Sequence, residues 1–309
     1  MILLWGIPSE PPLAMVHEAL QRMGAPVVLF NQRRFANSGL TLELRDGQVS
    51  GTLQVEGTRH RLEEIRSAYL RPMDDSGLPE VRGLAADHPL RLRSRMLNDL
   101  LLQWAEIAPG RILNRPEAMG SNMSKPYQMQ LIQRLGFAVP ETLITNDPEQ
   151  VMAFRKQWGR VIYKSISGVR SIVRELEESD LARLDRIRSC PVQFQARIEG
   201  FDVRVHVVGN RLFATRADTN AADYRYATRQ KEGKTELVEF RLPAELQQRC
   251  LALSHGLGLE FSGIDLKITP RGEVYCFEVN PCPAYSYYEW NTGQPIARAV
   301  AEYLVGQSP

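Results

Sequence analysis

The chain has 309 residues, of which 43% are hydrophobic and 24% are charged, with a formal net charge of +2. This length allows two or three compact units, and the near-neutral charge gives no reason to expect a nucleic-acid partner. No apolar run reaches membrane-spanning length, the first residues lack the basic flank of a signal peptide, and the four cysteines lack zinc-type spacing. We therefore expect a cytoplasmic protein with no nucleic-acid or membrane partner. The composition is compatible with a homo-oligomer.

Alternating strand and helix patterns fill residues 1–115, which we assign to a first α/β domain. The Asp46-Gly47 pair between two alternating runs predicts a hairpin. No GxGxxG follows the first strand, so we expect no dinucleotide site there. The predicted elements are strands at 1–7, 27–30, 68–72 and 111–114, a hairpin at 40–44 and 49–55, and helices at 12–23 and 89–107.

Two further units follow, at 116–190 and 191–309, and both mix strands with helices. Pro126 fits the first turn of a helix, and after residue 191 the pattern becomes mostly β. The predicted helices lie at 126–135, 148–158, 180–188, 244–257 and 295–303, and the predicted strands at 142–145, 161–164, 172–176, 192–198, 202–208 and 211–215.

The most informative segment is 263–281, whose pattern predicts a β-hairpin. Glu278 and Asn280 are two residues apart, so on a strand they point to the same face. Asp265 lies on the same face if the loop of the hairpin has an even number of residues. Three oxygen donors on one face suit Mg²⁺, which prefers oxygen ligands and substrate phosphates. The alternative is an edge hairpin with a solvated polar face, which we disfavour because both carboxylates lie in apolar runs.

The parity of this hairpin depends on its loop. If Pro270-Arg271 form a two-residue loop, Thr269 pairs with Gly272 and Asp265 lies opposite Cys276. Asp265 then shares the face of the other two donors. A loop of odd length would scatter the set.

Two lysines precede segments that could bind an anion. Lys164 ends an apolar strand and leads into a loop rich in small residues, whose backbone N–H groups can surround a phosphate. Lys125 precedes a helix N-terminus, where the helix dipole favours an anion. The alternatives are a surface hairpin tip for Lys164 and a solvated lysine for Lys125.

A strand that begins at Gln193 is interrupted at Gly200 and resumes at Asp202. Such a break can present backbone donors and acceptors to a nucleobase and place Asp202 near ribose hydroxyls. The alternative is an ordinary strand kink with a surface aspartate.

In this order, the two lysines, the interrupted strand and the Asp…Glu-x-Asn hairpin resemble the ATP-grasp superfamily, and within it the RimK-type glutamate ligases and the microviridin-type (graspetide) peptide ligases. The Tyr-Leu-Arg-Pro sequence at 69–72 is similar to an aromatic-Arg-Pro sequence of the peptide-ligase branch, and Asp223-Tyr-Arg225 to its Asp-aromatic-Arg. The resemblance covers essentially the whole chain. It implies an ATP-grasp fold of mixed α/β (α+β) class, in which two α+β lobes hold the nucleotide behind an α/β pre-ATP-grasp domain. The lobes are 116–190, with a phosphate flap, and 191–309, with a metal site.

The resemblance also implies a role for individual residues. The phosphates of ATP would bind Lys125, Lys164 and the flap residues Ser167 and Gly168. The adenine would meet the backbone of Gln195, Ala196, Arg197 and Ile198, and the ribose would meet Asp202. Two Mg²⁺ ions, with Mn²⁺ as a substitute, would bind Asp265, Glu278 and Asn280, and Glu278 would bridge them. The γ-phosphate or an acyl phosphate would meet Arg204, Arg216 and Arg225.

The implied function is an ATP-dependent ligase. A carboxylate substrate attacks the γ-phosphorus to give an acyl phosphate, and an amine or hydroxyl, on a peptide or an amino acid, then displaces phosphate. Catalysis would consist of positioning and charge neutralisation. One alternative is a small-molecule kinase that phosphorylates a hydroxyl. Another is a non-catalytic ATP-binding regulatory protein, which need not retain all three metal ligands.

Three other features each allow two interpretations. The aromatic stretch at 281–289 could line a substrate site or pack as core or lid. The helix face with Arg91, Arg93 and Arg95 could bind nucleic acid, but a solvated face is the simpler interpretation. His206 lies on an alternating strand, where we expect it to be packed rather than catalytic.

Overall fold

Four β-sheets with helices packed on them make up the chain in a computed structural model, which describes residues 1–166, 173–218 and 236–307. The sheets comprise a parallel sheet and a small antiparallel sheet in the N-terminal domain, a central antiparallel sheet, and a five-stranded antiparallel sheet near the C-terminus. Among the described residues, no helix has the length and apolarity needed to span a membrane.

The N-terminal domain has helices on both faces of its parallel sheet. The strands are β1 (Ile2–Gly6), β2 (Val27–Asn31), β3 (Gly39–Arg45), β4 (Gln48–Val55), β5 (Thr58–Arg61), β6 (Ser67–Arg71) and β7 (Arg111–Leu113). The parallel sheet has the order β2-β1-β6-β7. Because side chains alternate along β1, Leu3 and Trp5 pack towards the helix Pro89–Ile107, while Leu4 packs towards the helix Pro11–Arg22.

The small sheet has the order β3-β4-β5, and its third strand was not predicted from the sequence. The first turn uses Asp46 and Gly47 with φ of 51° and 74°, which confirms the predicted Asp-Gly hairpin. The second turn uses Glu56 and Gly57 with φ of 47° and 90°. A glutamate rarely takes a left-handed conformation, so the sequence carried little signal for this turn.

The central sheet has one apolar face and one polar face. Its strands are β8 (Thr142–Thr145), β9 (Val161–Ser165), β10 (Arg174–Glu175) and β11 (Val192–Ala196), in the order β10-β9-β11-β8. Val161 and Phe194 pack with Val151 of the helix Pro148–Trp158. Strand β11, from the segment that we assigned to the last unit, completes this sheet.

The C-terminal sheet consists of β12 (Phe201–Val208), β13 (Arg211–Asp218), β14 (Glu236–Glu239), β15 (Phe261–Ile268) and β16 (Val274–Asn280), in the order β14-β13-β12-β15-β16. One face buries Val205 and Ile264 against Leu253 of the helix Ala244–Gly256. The last helix, Ile296–Val305, packs between this sheet and the N-terminal domain.

Short elements complete the described structure. The other α-helices are Pro116–Met119, Lys125–Arg134, Glu178–Leu181 and Ser286–Thr292, and the 3₁₀ turns are Gln32–Asn37, Leu62–Glu64, Asp75–Gly77, Gly120–Met123 and Leu184–Ser189. The helix Ser286–Thr292 was not predicted.

A buried asparagine fastens the end of the N-terminal domain to the β15–β16 hairpin. Asn114 is 2% exposed, and its Nδ2 donates to the carbonyls of Phe261 and Pro281, each at 2.6 Å. Its Oδ1 accepts from the N–H groups of Glu260 (3.0 Å) and Phe261 (2.9 Å). One side chain therefore fixes the start of β15 and the segment that follows β16.

We expect Asn114→Ala to lower the free energy of unfolding by about 2–4 kcal/mol, because it leaves several buried backbone groups unpaired. Urea denaturation measures the change, with the exposed Asn37→Ala as the control. A loss no larger than that of the control would show that Asn114 does not fasten the hairpin.

Candidate functional site

The β15–β16 hairpin has a different register from the predicted one. Thr269 N–H donates to the Glu273 carbonyl (2.9 Å), so the loop has three residues, and the predicted pairing of Thr269 with Gly272 is wrong. Ile268 pairs with Val274. Without a further change, this odd loop would turn the two carboxylates to opposite faces.

A β-bulge restores the parity. Leu266 pairs with Cys276 but Asp265 pairs with Glu278, which leaves Phe277 as the extra residue. Asn280 lies opposite Gly263, two residues before Asp265. The prediction that Asp265, Glu278 and Asn280 share one face is thus confirmed, although Asp265 faces Glu278 and not Cys276.

Two cations from other elements already contact these carboxylates. Lys125, at the start of the helix Lys125–Arg134, forms an ion pair with Glu278 and donates to Asn122 Oδ1 (2.8 Å). Arg204 on β12 is the Cα partner of Asp265, and its Nη1 donates to Asp265 Oδ1 (2.8 Å). Carboxylates removed from water need such partners, because an unpaired buried charge is costly.

The amide of Asn280 completes the cluster. In the orientation that satisfies both neighbours, its nitrogen donates to Glu278 Oε1 (2.8 Å) and its oxygen accepts from Arg204 Nη1 (3.1 Å). No group of three or more His, Cys, Asp or Glu side chains suited to a metal occurs in the described residues. The donor set here is two carboxylates and one amide oxygen. These are hard oxygen ligands of the kind that Mg²⁺ takes together with substrate phosphates.

The guanidinium of Arg204 is held from several sides. It is 5% exposed, and its Nε donates to Nε2 of the fully buried His206 at 3.4 Å. Burial and the charge of Arg204 hold the pKa of His206 well below its usual range, so the imidazole is a neutral acceptor. The ring of Tyr288 lies 4.9 Å from the His206 ring and 5.8 Å from Arg204 Cζ. Part of the aromatic stretch therefore packs against the cluster.

The polar face of the central sheet carries unpaired buried groups. Lys164 on β9 is the Cα partner of Gln193 on β11, and Gln195 Nε2 donates to Thr142 Oγ1 (3.0 Å). Both amide atoms of Gln193 and the Oε1 of Gln195 are buried without a hydrogen-bond partner. Such groups usually find partners, so this face is a candidate ligand surface. Gln193 was not among the residues predicted from the sequence, although its Gln-x-Gln spacing with Gln195 was a signal for it.

The helix Lys125–Arg134 contacts both candidate surfaces. Lys125 binds Glu278 on the hairpin, while Met129 Sδ lies 3.8 Å from Thr142 Oγ1 and 4.0 Å from Gln195 Nε2. The polar face of the central sheet and the carboxylate face of the C-terminal sheet therefore flank the same helix.

The resemblance implies that residues 195–198 meet the adenine. Two backbone N–H groups of this segment form hydrogen bonds within the protein. Ala196 N–H donates to the Glu141 carbonyl (3.0 Å) and Arg197 N–H to the Arg160 carbonyl (2.9 Å). These two N–H groups are thus occupied within the protein. The side chain of Arg197 forms an ion pair with Glu175, and Ile198 lies just beyond the end of β11.

The other implied residues fall into three groups. Asp202 shares the face of Arg204 and pairs with Lys267 (3.2 Å). Arg216 is the Cα partner of Val203, so it lies on the opposite face of the sheet from Arg204, and its Cζ is 4.4 Å from the centre of the Phe201 ring. Ser167, Gly168 and Arg225 lie outside the described residues.

Comparisons with known proteins agree with the fold. Residues 123–304 match the RimK-like ATP-grasp domain. A probable alpha-L-glutamate ligase of Teredinibacter turnerae is 25% identical over 203 residues, and the match covers 62% of this chain and 66% of that protein. The chain thus matches just under two thirds of the length of this curated relative.

Two solved structures match over nearly the full length. The RiPP-associated ATP-grasp ligase of Chryseobacterium gregarium, in complex with ADP and a leader and core peptide, has a TM-score of 0.83 at 23% identity, with 100% of this chain and 97% of that chain covered. The ATP-grasp ligase PsnB, in complex with a phosphomimetic variant of a minimal precursor, Mg and ADP, has a TM-score of 0.79 at 27% identity, with 100% and 98% covered. The ATP-grasp fold implied by the resemblance is confirmed.

We expect Gly263→Ala to displace Arg204 from Asp265. A Cβ at Gly263 would overlap the Arg204 guanidinium and lie 2.8 Å from Pro283 Cβ. Overpacking of this kind lowers the free energy of unfolding by about 1–3 kcal/mol, which chemical denaturation measures. Gly39→Ala is the control, because a Cβ there meets nothing within 4 Å. Equal stability of the two variants would contradict the close packing of Arg204 over Gly263.

Proposed function

The chain belongs to the RimK-like ATP-grasp family, and on that premise we propose that it is an ATP- and Mg²⁺-dependent ligase that joins a carboxylate to an amine or a hydroxyl. The observation that carries the proposal is the cluster in which Asp265, Glu278 and Asn280 share one face, with Lys125 and Arg204 bound to the two carboxylates.

In this proposal Asp265, Glu278 and Asn280 would hold Mg²⁺, and Glu278 would be a ligand shared by two ions. When bound there, Mg²⁺ would supply positive charge that neutralises the phosphates during transfer. Support comes from the hard oxygen donors of the cluster and from PsnB, whose structure contains Mg and ADP. Mn²⁺ has similar ligand preferences and should substitute.

Lys125 has a distinct role. It neutralises Glu278 in the structure described here, and a metal ion on Glu278 would take over that neutralisation. The ammonium group, on a helix N-terminus that itself favours anions, is then available to a phosphate oxygen. Lys164, on the polar face of the central sheet, is the second proposed phosphate ligand. On the same face, the amide of Gln193 and the amide oxygen of Gln195 are the groups that we propose for the nucleotide.

The proposed reaction has two steps. A substrate carboxylate oxygen bonds to the γ-phosphorus of ATP as the bond to the β,γ-bridging oxygen breaks, which gives an acyl phosphate and ADP. An amine or hydroxyl then bonds to the acyl carbon and phosphate leaves, with the proton of the nucleophile passing to phosphate. Arg204, buried beside Asp265, supplies fixed positive charge close to the transferred group.

A peptide is the proposed carrier of one or both substrate groups. The two solved structures described above contain a leader and core peptide and a variant of a minimal precursor, and this chain is 27% identical to PsnB. A free amino acid is the alternative carrier, as the names of the glutamate ligase relatives suggest.

Trapping with hydroxylamine tests the proposal. The protein is incubated with ATP, Mg²⁺ and hydroxylamine, together with glutamate or acid-rich peptides as the carboxylate. We expect ADP and a hydroxamate, because hydroxylamine intercepts an acyl phosphate. Glu278→Gln should reduce hydroxamate formation by about 100-fold or more, since it removes a metal-binding charge. Glu273→Gln, on the same hairpin but exposed, is the control.

Three results would contradict the proposal. ADP formed with a hydroxyl substrate but no hydroxamate would indicate a kinase, and no ADP with any substrate would indicate a non-catalytic nucleotide-binding protein. Full activity of Glu278→Gln would contradict the assignment of the site.

A further inference from the structure

A buried histidine lies beside the guanidinium of Arg204. His206 is fully buried and follows Arg204 by two residues on β12, so both side chains point to the same face of the strand. Its Nε2 accepts from Arg204 Nε (3.4 Å). Its Nδ1 is buried and has no hydrogen-bond partner among residues 1–166, 173–218 and 236–307. Neither step of the proposed reaction involves this imidazole directly.

Packing alone does not explain an imidazole at this position. Burial and the charge of Arg204 hold the pKa of His206 well below its usual range, so the ring is neutral. When Nε2 accepts a hydrogen bond, the ring proton lies on Nδ1. That N–H is a buried donor without a partner in the described parts of the chain, which is unfavourable. A phenylalanine would fill the same space without this cost, but it could not accept from Arg204.

The acceptors of the Arg204 guanidinium are of two kinds. Nη1 donates to Asp265 Oδ1 (2.8 Å) and, in the orientation that satisfies both neighbours of Asn280, to the Asn280 amide oxygen (3.1 Å). Both of these oxygens belong to proposed magnesium ligands. His206, which accepts from Nε, belongs to no proposed metal site. The bond at Nε is therefore the one whose acceptor is not shared with an ion.

An aromatic ring supports both side chains. The ring of Tyr288 meets the His206 ring edge to face at 4.9 Å, and its centre lies 5.8 Å from Arg204 Cζ. The helix that carries Tyr288 is itself fixed to β13, because Gln294, just after that helix, accepts from the buried Thr215 Oγ1 (2.9 Å). The imidazole thus has a rigid neighbour and little room to rotate.

We propose that His206 is a positioning residue, which holds Arg204 by its Nε so that the Nη groups can donate to the transferred phosphoryl group while the guanidinium keeps its place. Tyr288 supports the imidazole in this role. The inference rests on the proposed ligase function and adds to it a residue that acts through Arg204.

The kinetics of hydroxamate formation with ATP and Mg²⁺ give the first test. His206→Phe keeps a buried planar ring and removes the acceptor. We expect kcat to fall at least about tenfold, because a small displacement of a positioned group is costly. The KM for ATP should change less than about twofold, because a charge that meets the transferred group acts mainly in the transition state.

Val207→Ala is the control for this variant. Val207 is fully buried and packs on the opposite face of β12, so its truncation should lower the stability and leave kcat unchanged. A general loss of packing would affect both variants alike, whereas a positioning role affects only His206→Phe.

Two unbranched substitutions cover the case in which His206→Phe does not fold. Glutamine and methionine have similar shapes, but only the glutamine amide offers a strong acceptor to Arg204. We expect kcat of His206→Gln to be at least about fivefold higher than that of His206→Met. Equal kcat values for these two variants would overturn the proposal.

A double-mutant cycle on the protein without nucleotide or metal measures the bond itself. Urea denaturation gives the unfolding equilibrium constant of the unaltered protein, His206→Phe, Arg204→Met and the double variant. We expect His206→Phe to raise this constant at least about fivefold more when Arg204 is present than in the Arg204→Met protein. The same effect in both proteins would show that His206 only fills space, which would also overturn the proposal.

The two proposals can fail separately. If the unaltered protein forms no hydroxamate, the ligase function is wrong. If it forms hydroxamate, but the cycle shows no coupling and His206→Phe retains full kcat, the protein is a ligase in which His206 does not position Arg204.

Discussion

The contacts of Lys125 with Glu278 and of Arg204 with Asp265 are the interactions on which the site depends. Each carboxylate lies on the hairpin, and each cation comes from a different element, a helix start and a neighbouring strand. Carboxylates at this depth need a positive partner. The contacts therefore link the helix Lys125–Arg134 and the strand β12 to the hairpin, and the proposed metal site lies at this junction.

Further contacts connect the β15–β16 hairpin and the helix Lys125–Arg134 to the other parts of the molecule. Asn114 fastens both ends of the hairpin to the N-terminal domain, and Met129 brings the lysine-bearing helix onto the polar face of the central sheet. Arg71, at the end of β6 in the N-terminal domain, donates to the carbonyl of Pro283, three residues after the end of β16. All three units thus meet around the short stretch from Glu278 to Pro283.

Local patterns in the sequence predicted most of the elements and the shared face of the three oxygen donors. The predicted register of the β15–β16 hairpin was wrong because the alternation of apolar and polar residues does not reveal the length of a loop or the presence of a bulge. The odd loop and the extra Phe277 each shift the pairing by one residue, and the two shifts restore the parity. Arg204 was identified by resemblance, but its contact with Asp265 follows from pairing between strands 61 residues apart. The face on which Arg216 lies, opposite to that of Arg204, likewise follows from strand pairing and not from a local pattern.

Anomalous diffraction from crystals grown with ADP and Mn²⁺ would test the metal site most directly. We expect a manganese peak within coordination distance of Asp265 and Glu278, with the Lys125 amine moved from Glu278 towards a phosphate. Manganese bound elsewhere, with Lys125 still on Glu278, would show that these carboxylates do not form the metal site.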